Sequence, residues 1–220
     1  MYLFFKRFFD ILAAASLLLV LSPFWFAVII LLIVSGNRKV FYFQKRVGRN
    51  NKPFYLWKFQ TMMPHKETTG NGLLSVKDDN RVTKLGHYLR KTKLDEIPQL
   101  INIIRGEMSF VGPRPLIYTW FKLYAPDIQK KIYTSRPGLT GVGSLVFRNE
   151  ETLLANCGIN PHEFYQNTIL PYKGICEMWY LEHKSIFLDI KLLFLTAIMP
   201  FLPKNIDETK LFKGLPKKNF

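Results

Sequence analysis

The sequence predicts a helix-dominated α+β fold, in which a membrane-embedded N-terminal helix precedes a small domain. An uncharged apolar run extends from Ile11 to Val34, and residues 39–62 alternate apolar and polar side chains around a turn. Apolar residues recur at helical spacing between Leu94 and Ile104. Strand and helix patterns do not alternate regularly along the chain, so we expect no doubly wound parallel sheet.

The apolar run has 24 residues, enough for a helix to cross a hydrocarbon core about 30 Å thick. It is too long for the apolar region of a cleaved signal peptide, and no small-residue cleavage site follows it. We therefore predict a retained membrane segment, residues 1–36. Ser22 and Pro23 lie near its midpoint and predict a kink, because proline lacks a backbone donor and clashes with the preceding turn.

Basic residues flank the run on both sides. Lys6 and Arg7 precede it, and Arg38 and Lys39 follow it. The positive-inside rule assigns both flanks to the cytoplasm, which a kinked helix that enters and leaves one leaflet would satisfy. An ordinary membrane-spanning helix with a proline kink is the alternative, and the residues by themselves leave both topologies open.

The formal charge is +15, from 31 basic and 16 acidic residues. This excess predicts an anionic partner, which is a nucleic acid, a phosphorylated substrate or an acidic membrane surface. The only cysteines are Cys157 and Cys176, so a disulfide framework and a zinc quartet are both excluded. The four histidines are scattered, and no Walker-type phosphate loop occurs.

A β-hairpin is predicted after the membrane segment, and a loop rich in Thr, Gly and Asn follows it over residues 67–80. A helical pattern resumes from Arg81 to Arg90. Residues 185–203 are apolar but interrupted by charged residues, which indicates an interfacial or core helix. Residues 204–220 are predicted to form a disordered basic tail that lies against anionic headgroups.

Asp95 and Glu96 are the leading candidates for a catalytic site. The helical pattern over residues 94–104, with Thr92 as a cap and Gly106 at the end, places both acids at a helix start. The helix dipole lowers the pKa of a carboxylate there, so we expect both acids to be ionised. Adjacent carboxylates among basic residues are typical of a metal-assisted phosphate site. The alternative is that they only stabilise the first helical turn.

Two proline-containing turns each fix an arginine backbone. Gly112–Pro115 contains Arg114, and Arg136 begins the turn of residues 136–141. Each guanidinium could bind a phosphate through two parallel N–H groups, although a solvated turn would contain the same residues.

Taken together, these segments resemble the bacterial sugar transferase family, the monotopic phosphoglycosyl transferases, in its minimal catalytic form. The likeness covers most of the chain and rests on the order and spacing of several short motifs. These motifs are Lys6-Arg7 with Asp10, Ser22-Pro23, and residues 44–49, 58–62, 79–83, 94–100, 111–115 and 136–141.

The resemblance implies a re-entrant membrane helix broken at Ser22-Pro23, amphipathic helices along the interface, and a catalytic domain, residues 37–203, on the cytoplasmic face of the bacterial inner membrane. It implies transfer of a phospho-sugar from a UDP-sugar to polyprenyl (undecaprenyl) phosphate, with release of UMP, as the first membrane step of glycoconjugate assembly. The residue that matches the family's nucleophile is Asp95, which would form a phosphosugar-aspartyl intermediate.

The resemblance also implies Mg²⁺ as the cofactor, held by Glu96 together with Asp95. The basic residues assigned to substrate binding are Lys58, Arg90, Arg114, Arg136 and Arg148. The expected partners are the UDP-sugar, the polyprenyl phosphate and membrane lipids, and not nucleic acid. The alternative is a non-catalytic, membrane-tethered protein that binds nucleic acid or anionic lipid, which explains the charge but not the carboxylate pair.

Three segments depart from the family pattern. Gln60 stands where the family usually has arginine, His87 replaces another common basic residue, and residues 142–149 differ from the usual version. These departures concern the phosphate-binding surface and the sugar specificity. The sugar, the downstream glycan, the oligomeric state and an acceptor other than polyprenyl phosphate are left open by the sequence.

Overall fold

The computed structural model describes residues 1–35, 39–63, 81–201 and 208–218. The loop predicted over residues 67–80 lies outside the described residues, as do Arg38 and residues 79 and 80 of one family motif. The described residues form a helix-dominated α+β fold with two small sheets, which confirms the predicted class.

The described residues contain helices and strands that we number in chain order. The helices are α1 (Tyr2–Val20), α2 (Ser22–Val34), α3 (Lys84–Lys91), α4 (Gln99–Arg105), α5 (Tyr118–Phe121), α6 (Pro126–Lys131), α7 (Val142–Val146), α8 (Glu150–Ala155), α9 (Pro161–Phe164), α10 (Leu170–His183) and α11 (Ile186–Ile198). The strands are β1 (Phe41–Val47), β2 (Pro53–Phe59), β3 (Ser109–Val111) and β4 (Gly138–Thr140).

The apolar N-terminal run folds as two helices, α1 and α2, which meet at Leu21 with a bend of 62°. Pro23 occupies the first turn of α2, where its missing N–H leaves no hydrogen bond unmade. The hydroxyl of Ser22 donates to the carbonyl of Leu19 at 2.8 Å. The predicted kink is therefore confirmed. Among the described helices none is by itself long and apolar enough to cross a membrane, whereas this bent pair has the length and composition to do so.

Helix α1 is fixed to the domain at the C-terminal end of α4. The guanidinium of Arg7 donates to the carbonyls of Ile103 at 2.6 Å and Ile104 at 2.9 Å. These carbonyls lie in the last turn of α4, where the carbonyl of Ile103 also accepts from the N–H of Gly106 at 3.0 Å, so Arg7 adds donors to this helix end. The buried carboxylate of Asp10 accepts a hydrogen bond from the backbone N–H of Phe110 at 3.2 Å.

A second contact joins α1 to α10 and α11 through the buried Asp189. Its carboxylate accepts hydrogen bonds from the hydroxyls of Tyr2 and Tyr180, both at 2.8 Å, and from the ammonium of Lys6 at 2.7 Å. Helix α11 thus has a buried face, while Phe187 and other apolar side chains on it are exposed. The buried face agrees with the predicted core helix, and the exposed apolar face agrees with the predicted interfacial helix.

The predicted β-hairpin is confirmed. Strands β1 and β2 pair antiparallel, with Phe41 opposite Phe59. The side chain of Asn102 binds the outer edge of β2, because its amide donates to the carbonyl of Tyr55 at 2.8 Å and its oxygen accepts from the N–H of Trp57 at 3.0 Å. This contact fixes the hairpin to α4.

Strands β3 and β4 form a parallel pair that sequence analysis did not predict. Each has only three residues, too few for an alternating pattern to be recognised. The two backbones approach closely, since a Cβ atom on Gly138 would lie 2.2 Å from the nitrogen of Gly112. The pairing brings the two proline-containing turns side by side.

The described part of the C-terminal tail is ordered, so the prediction of a disordered tail is wrong for residues 208–218. Phe212 and Leu215 are buried in the main hydrophobic cluster, and the ammonium of Lys218 donates to the carbonyl of Val146 at 2.7 Å. Burial of two large apolar side chains opposes the entropy lost on ordering the segment. The prediction of disorder rested on the lysines of this segment and overlooked Phe212 and Leu215.

We expect Asn102→Ala to lower the free energy of unfolding by about 2–4 kcal/mol, because it removes a fully buried side chain and leaves two part-buried backbone groups of β2 without its hydrogen bonds. Denaturant unfolding in detergent micelles measures this. The control Asn156→Ala changes an exposed asparagine and should alter stability by no more than about 0.5 kcal/mol. Equal effects of the two substitutions would contradict the assigned contact.

Candidate functional site

The carboxylate pair lies in a short 3₁₀ turn, Leu94–Glu96, that precedes α4. Helix α4 begins at Gln99, directly after Pro98, so the expectation of one helix over residues 94–104 is wrong. Lys93 adopts a left-handed conformation with φ 59°, which turns the chain sharply at the start of this turn. Pro98 has no backbone N–H to donate to the carbonyl of Leu94, and that carbonyl instead accepts from the N–H of Ile97 at 3.3 Å, as in a 3₁₀ turn, which explains the interruption.

Thr92 ends α3 instead of capping α4. Its hydroxyl donates to the carbonyl of Tyr88 at 2.8 Å, and its backbone N–H bonds to the same helix. The threonine was assigned to the wrong helix because a small hydroxyl residue fits either helix terminus in sequence.

Glu96 is bound by two cations from distant parts of the chain. One oxygen, Oε1, accepts hydrogen bonds from the ammonium of Lys58 and from the guanidinium of Arg114, each at 2.8 Å. Burial raises the pKa of Glu96, but Arg114 and Lys58 outweigh this and hold the pKa well below its usual range. Glu96 is therefore an ionised carboxylate, as predicted, although the cause is two ion pairs and not a helix dipole.

Asp95 has a different environment. Its side chain is buried, and this burial raises the pKa of Asp95 against the attraction of Lys58. Lys93 and Arg90 also attract the charged form, whereas Glu96 repels it. The expectation that a helix dipole lowers the pKa of Asp95 is wrong, because the residue is buried and precedes the helix.

Arg114 is held by its backbone as well as by its side chain. Its N–H donates to the carboxyl of Glu177 at 3.3 Å, and its carbonyl accepts from the hydroxyl of Tyr133 at 2.9 Å. The Arg114 side chain retains 38% of its exposure. The side chain is therefore partly accessible from solvent, while hydrogen bonds hold the backbone in place.

The family model described as "Bacterial sugar transferase" matches residues 1–202, which include the carboxylate pair and both cations bound to Glu96. The chain belongs to the bacterial sugar transferase family. This confirms the resemblance inferred from the short motifs.

Curated relatives of this family member align along most of its length. It is 33% identical to the "Uncharacterized sugar transferase EpsL" of Bacillus subtilis, over 93% of this chain and 91% of that protein. It is 35% identical to the "Exopolysaccharide production protein ExoY" of Rhizobium meliloti, over 87% of this chain and 83% of that protein. It is also 32% identical to the "UDP-glucose:undecaprenyl-phosphate glucose-1-phosphate transferase" of Klebsiella pneumoniae, over 91% of this chain but only 41% of that longer protein.

Five of the predicted site residues lie in one region. Lys58 and Arg114 bind Glu96, which is next to Asp95 in the chain. The charge of Arg90 acts on Asp95. The carboxylates Asp95 and Glu96 are the groups here that could hold a metal ion. The described residues contain no cluster of three or more His, Cys, Asp or Glu side chains that could hold a metal ion.

The structure does not bring Arg136 and Arg148 into contact with Glu96. Arg136 donates to the carbonyl of Gly106 at 2.9 Å, at the end of α4 opposite the carboxylate pair. Arg148 donates to the carbonyl of Met199 at 2.7 Å. Their assignment to substrate binding therefore stays a prediction without support from these contacts.

Sequence analysis missed a layer of charged groups behind Arg114. Glu150 and Lys173 form an ion pair, and the guanidinium of Arg46 donates to the carbonyl of Pro115 at 3.1 Å. Burial and the charge of Arg114 lower the pKa of Arg46 to about 10. The available signal was the presence of two charged residues, Lys173 and Glu177, in the largely apolar sequence of α10.

Glu177 is the most deeply buried acid of this layer, with 3% exposure. Burial raises its pKa to about 8, although the N–H of Arg114 and the charges of Lys173 and Arg114 favour ionisation. In the unfolded chain a glutamate has a pKa of about 4.3 and is ionised at neutral pH. In the folded protein Glu177 therefore binds a proton that it releases on unfolding.

We expect stability to fall as pH rises, because the unfolded state is favoured wherever it binds fewer protons than the folded state. Between about pH 6 and pH 8 the free energy of unfolding should drop by about 2 kcal/mol more in the wild type than in Glu177→Gln. Denaturant unfolding of both proteins across this range measures the difference. Parallel pH profiles would contradict the raised pKa.

Proposed function

We propose that this chain transfers a phospho-sugar from a UDP-sugar to polyprenyl phosphate, with release of UMP. The observation that carries the proposal is an ionised carboxylate, Glu96, bound by Lys58 and Arg114 beside a second carboxylate, Asp95. Further support is that a relative such as the Klebsiella protein is named for this type of reaction. A protein that only binds anions would need the cations but not the two acids.

The first step is a displacement at phosphorus. The carboxylate of Asp95 attacks the β-phosphate of the UDP-sugar and forms an acyl phosphate bond. The bond from the β-phosphorus to the bridging oxygen breaks, and its electron pair leaves with UMP. In its ionised form Asp95 needs no general base for this step, because the carboxylate has no proton to lose.

The second step regenerates the carboxylate. A phosphate oxygen of the polyprenyl phosphate attacks the same phosphorus, and the bond to Asp95 breaks, which yields a polyprenyl diphosphate sugar. Arg114 and Lys58 orient Glu96 and stabilise negative charge on the phosphoryl oxygens in both steps. Two displacements through one nucleophile require only one phosphate-binding region.

The donor set fits a Mg²⁺ ion. Magnesium is commonly bound by one or two carboxylates together with substrate phosphate oxygens, and Asp95 and Glu96 provide two adjacent carboxylates. Bound there, Mg²⁺ would neutralise charge on the diphosphate. Asp95 and Glu96 would hold the ion, while Lys58 and Arg114 retain their contacts with Glu96.

We also propose that α1 and α2 form a re-entrant hairpin that enters and leaves one leaflet of the bacterial inner membrane, with the domain on the cytoplasmic face. Both ends of this bent pair contact the domain: Lys6 binds Asp189, and Leu32 of α2 packs with Phe59 and Leu89. A helix that crossed the bilayer would separate its two ends by about 30 Å of hydrocarbon. The exposed apolar residues near the bend, such as Leu19 and Phe26, would lie in the lipid.

We expect purified protein in detergent to release UMP from a UDP-sugar in the presence of Mg²⁺ and undecaprenyl phosphate. Asp95→Asn should lower the rate by at least about 1,000-fold, because the amide is a poor nucleophile. A coupled UMP assay across a panel of UDP-sugars, with thin-layer detection of the lipid product, measures both. Removal of Mg²⁺ by chelation should also abolish turnover.

The control Asp127→Asn changes an exposed aspartate of α6 and should leave the rate unchanged. Release of UMP without a lipid-linked sugar would contradict the polyprenyl acceptor. Full activity or a retained phosphosugar adduct in Asp95→Asn would move the nucleophile to another residue.

Pro23→Ala should straighten the bent pair, because alanine restores the backbone donor and removes the clash of the proline ring. A straight helix of this length would span the bilayer and move Met1 to the opposite side of the membrane. Labelling of the N-terminus from outside intact cells measures this, with Pro126→Ala in α6 as the control. A protected N-terminus in Pro23→Ala would show that proline does not determine the topology.

A further inference from the structure

We propose that Glu177 is a positioning residue, which holds the backbone of Arg114 so that its guanidinium meets Glu96. The effect on turnover rests on the proposed function, whereas the effect on the backbone does not. Glu177 lies in α10, 63 residues after Arg114, and it was not recognised in the sequence.

Nearly every backbone N–H and C=O group of the turn that contains Arg114 forms a hydrogen bond. Strand β4 holds its beginning: the N–H of Gly112 donates to Thr140 at 3.0 Å, and the carbonyl of Pro113 accepts from Gly138 at 2.9 Å. Strand β1 holds its end, where the carbonyl of Leu116 accepts from Val47 at 2.8 Å. Both ends are therefore fixed by backbone atoms of neighbouring strands.

The middle of the turn is held by side chains. The hydroxyl of Tyr133 bonds to the carbonyl of Arg114 and to the N–H of Leu116, both at 2.9 Å, and Arg46 binds the carbonyl of Pro115. The N–H of Arg114 itself bonds to Glu177. Removal of that acceptor leaves a part-buried donor unpaired, which is unfavourable unless the backbone shifts toward water.

The space around Glu177 is shaped for its carboxyl group. A Cβ atom on Gly143 would lie 2.5 Å from Oε1, and one on Gly141 would lie 3.8 Å from Oε2. Among the described residues Oε2 has no hydrogen-bond partner. A buried carboxyl with a single partner is costly to a core, and an apolar side chain of similar volume is often tolerated better. Among the described residues the one side-chain hydrogen bond of Glu177 is with the N–H of Arg114.

A shift of the Arg114 backbone would be transmitted to its guanidinium. Pro113 and Pro115 restrict the backbone on both sides, so the turn moves as a unit. The contact with Glu96 is short, at 2.8 Å, and a displacement of about 1 Å at a catalytic group can cost about 100-fold in rate. The loss should appear in kcat, because the substrate can still bind through Lys58.

The test compares Glu177→Leu, which removes the acceptor, with Glu177→Gln, which keeps an oxygen in its place. Glu177→Leu should lower kcat by about 10- to 100-fold and change KM for the UDP-sugar by less than about threefold. Glu177→Gln should stay within about threefold of the wild type. The control Glu182→Gln changes an exposed acid of the same helix and should have no effect.

A double-mutant cycle separates positioning from a general loss of stability. In an Arg114→Lys background, where the guanidinium contact is already lost, Glu177→Leu should cost no more than about twofold further. Additive losses would overturn the proposal. So would a Glu177→Gln variant as impaired as Glu177→Leu, or rate losses that follow the fall in melting temperature across the variants.

Hydrogen exchange tests the contact without any turnover. A peptide covering residues 112–117 has few backbone N–H groups, because Pro113 and Pro115 have none. The N–H of Arg114 is one of them, and Glu177→Leu should make it exchange faster. Unchanged exchange would overturn the positioning role whatever reaction the protein catalyses. Faster exchange together with a wild type that releases no UMP would contradict the proposed function alone.

Discussion

One oxygen of the Glu96 carboxylate accepts hydrogen bonds from Lys58 and Arg114 at the same time, and much of the fold holds these two cations in place. Lys58 lies on β2, whose outer edge is bonded to α4 through Asn102. Arg114 lies on a turn whose backbone is bonded to β1, β4 and three side chains. Two cations on one largely buried carboxylate keep it ionised where water is scarce.

Three buried acids in this chain have different electrostatic environments. Arg114 and Lys58 outweigh the effect of burial and hold the pKa of Glu96 low, while burial dominates at Asp95 and raises its pKa. Burial also raises the pKa of Glu177, to about 8, because its direct partner is a backbone N–H and not a cation. The same type of side chain can thus serve as an ionised anchor for cations, as a candidate nucleophile, or as an acceptor that fixes the backbone.

Local patterns in the sequence predicted the elements whose geometry is local. The proline at residue 23 predicted the bend, the alternation over residues 39–62 predicted the hairpin, and the adjacent acids marked the site. Two expectations failed at short range: Pro98 interrupts the helix expected over residues 94–104, and Lys93 turns the chain before it. The ordered tail was missed because Phe212 and Leu215 find their partners in distant parts of the chain, which no local composition reveals.

The amino-acid sequence alone was enough to establish the bent apolar segment, the hairpin, the proline-containing turns and the family, because each depends on residues that are close together or on motifs in a fixed order. Only the tertiary structure decided which cations meet Glu96, that Arg136 binds the far end of α4, and that Glu177 supports Arg114. Hydrogen bonds and pKa values depend on distances between residues far apart in the chain and on their burial. Those distances are set when the helices and strands pack, and the spacing of residues along the sequence does not contain them.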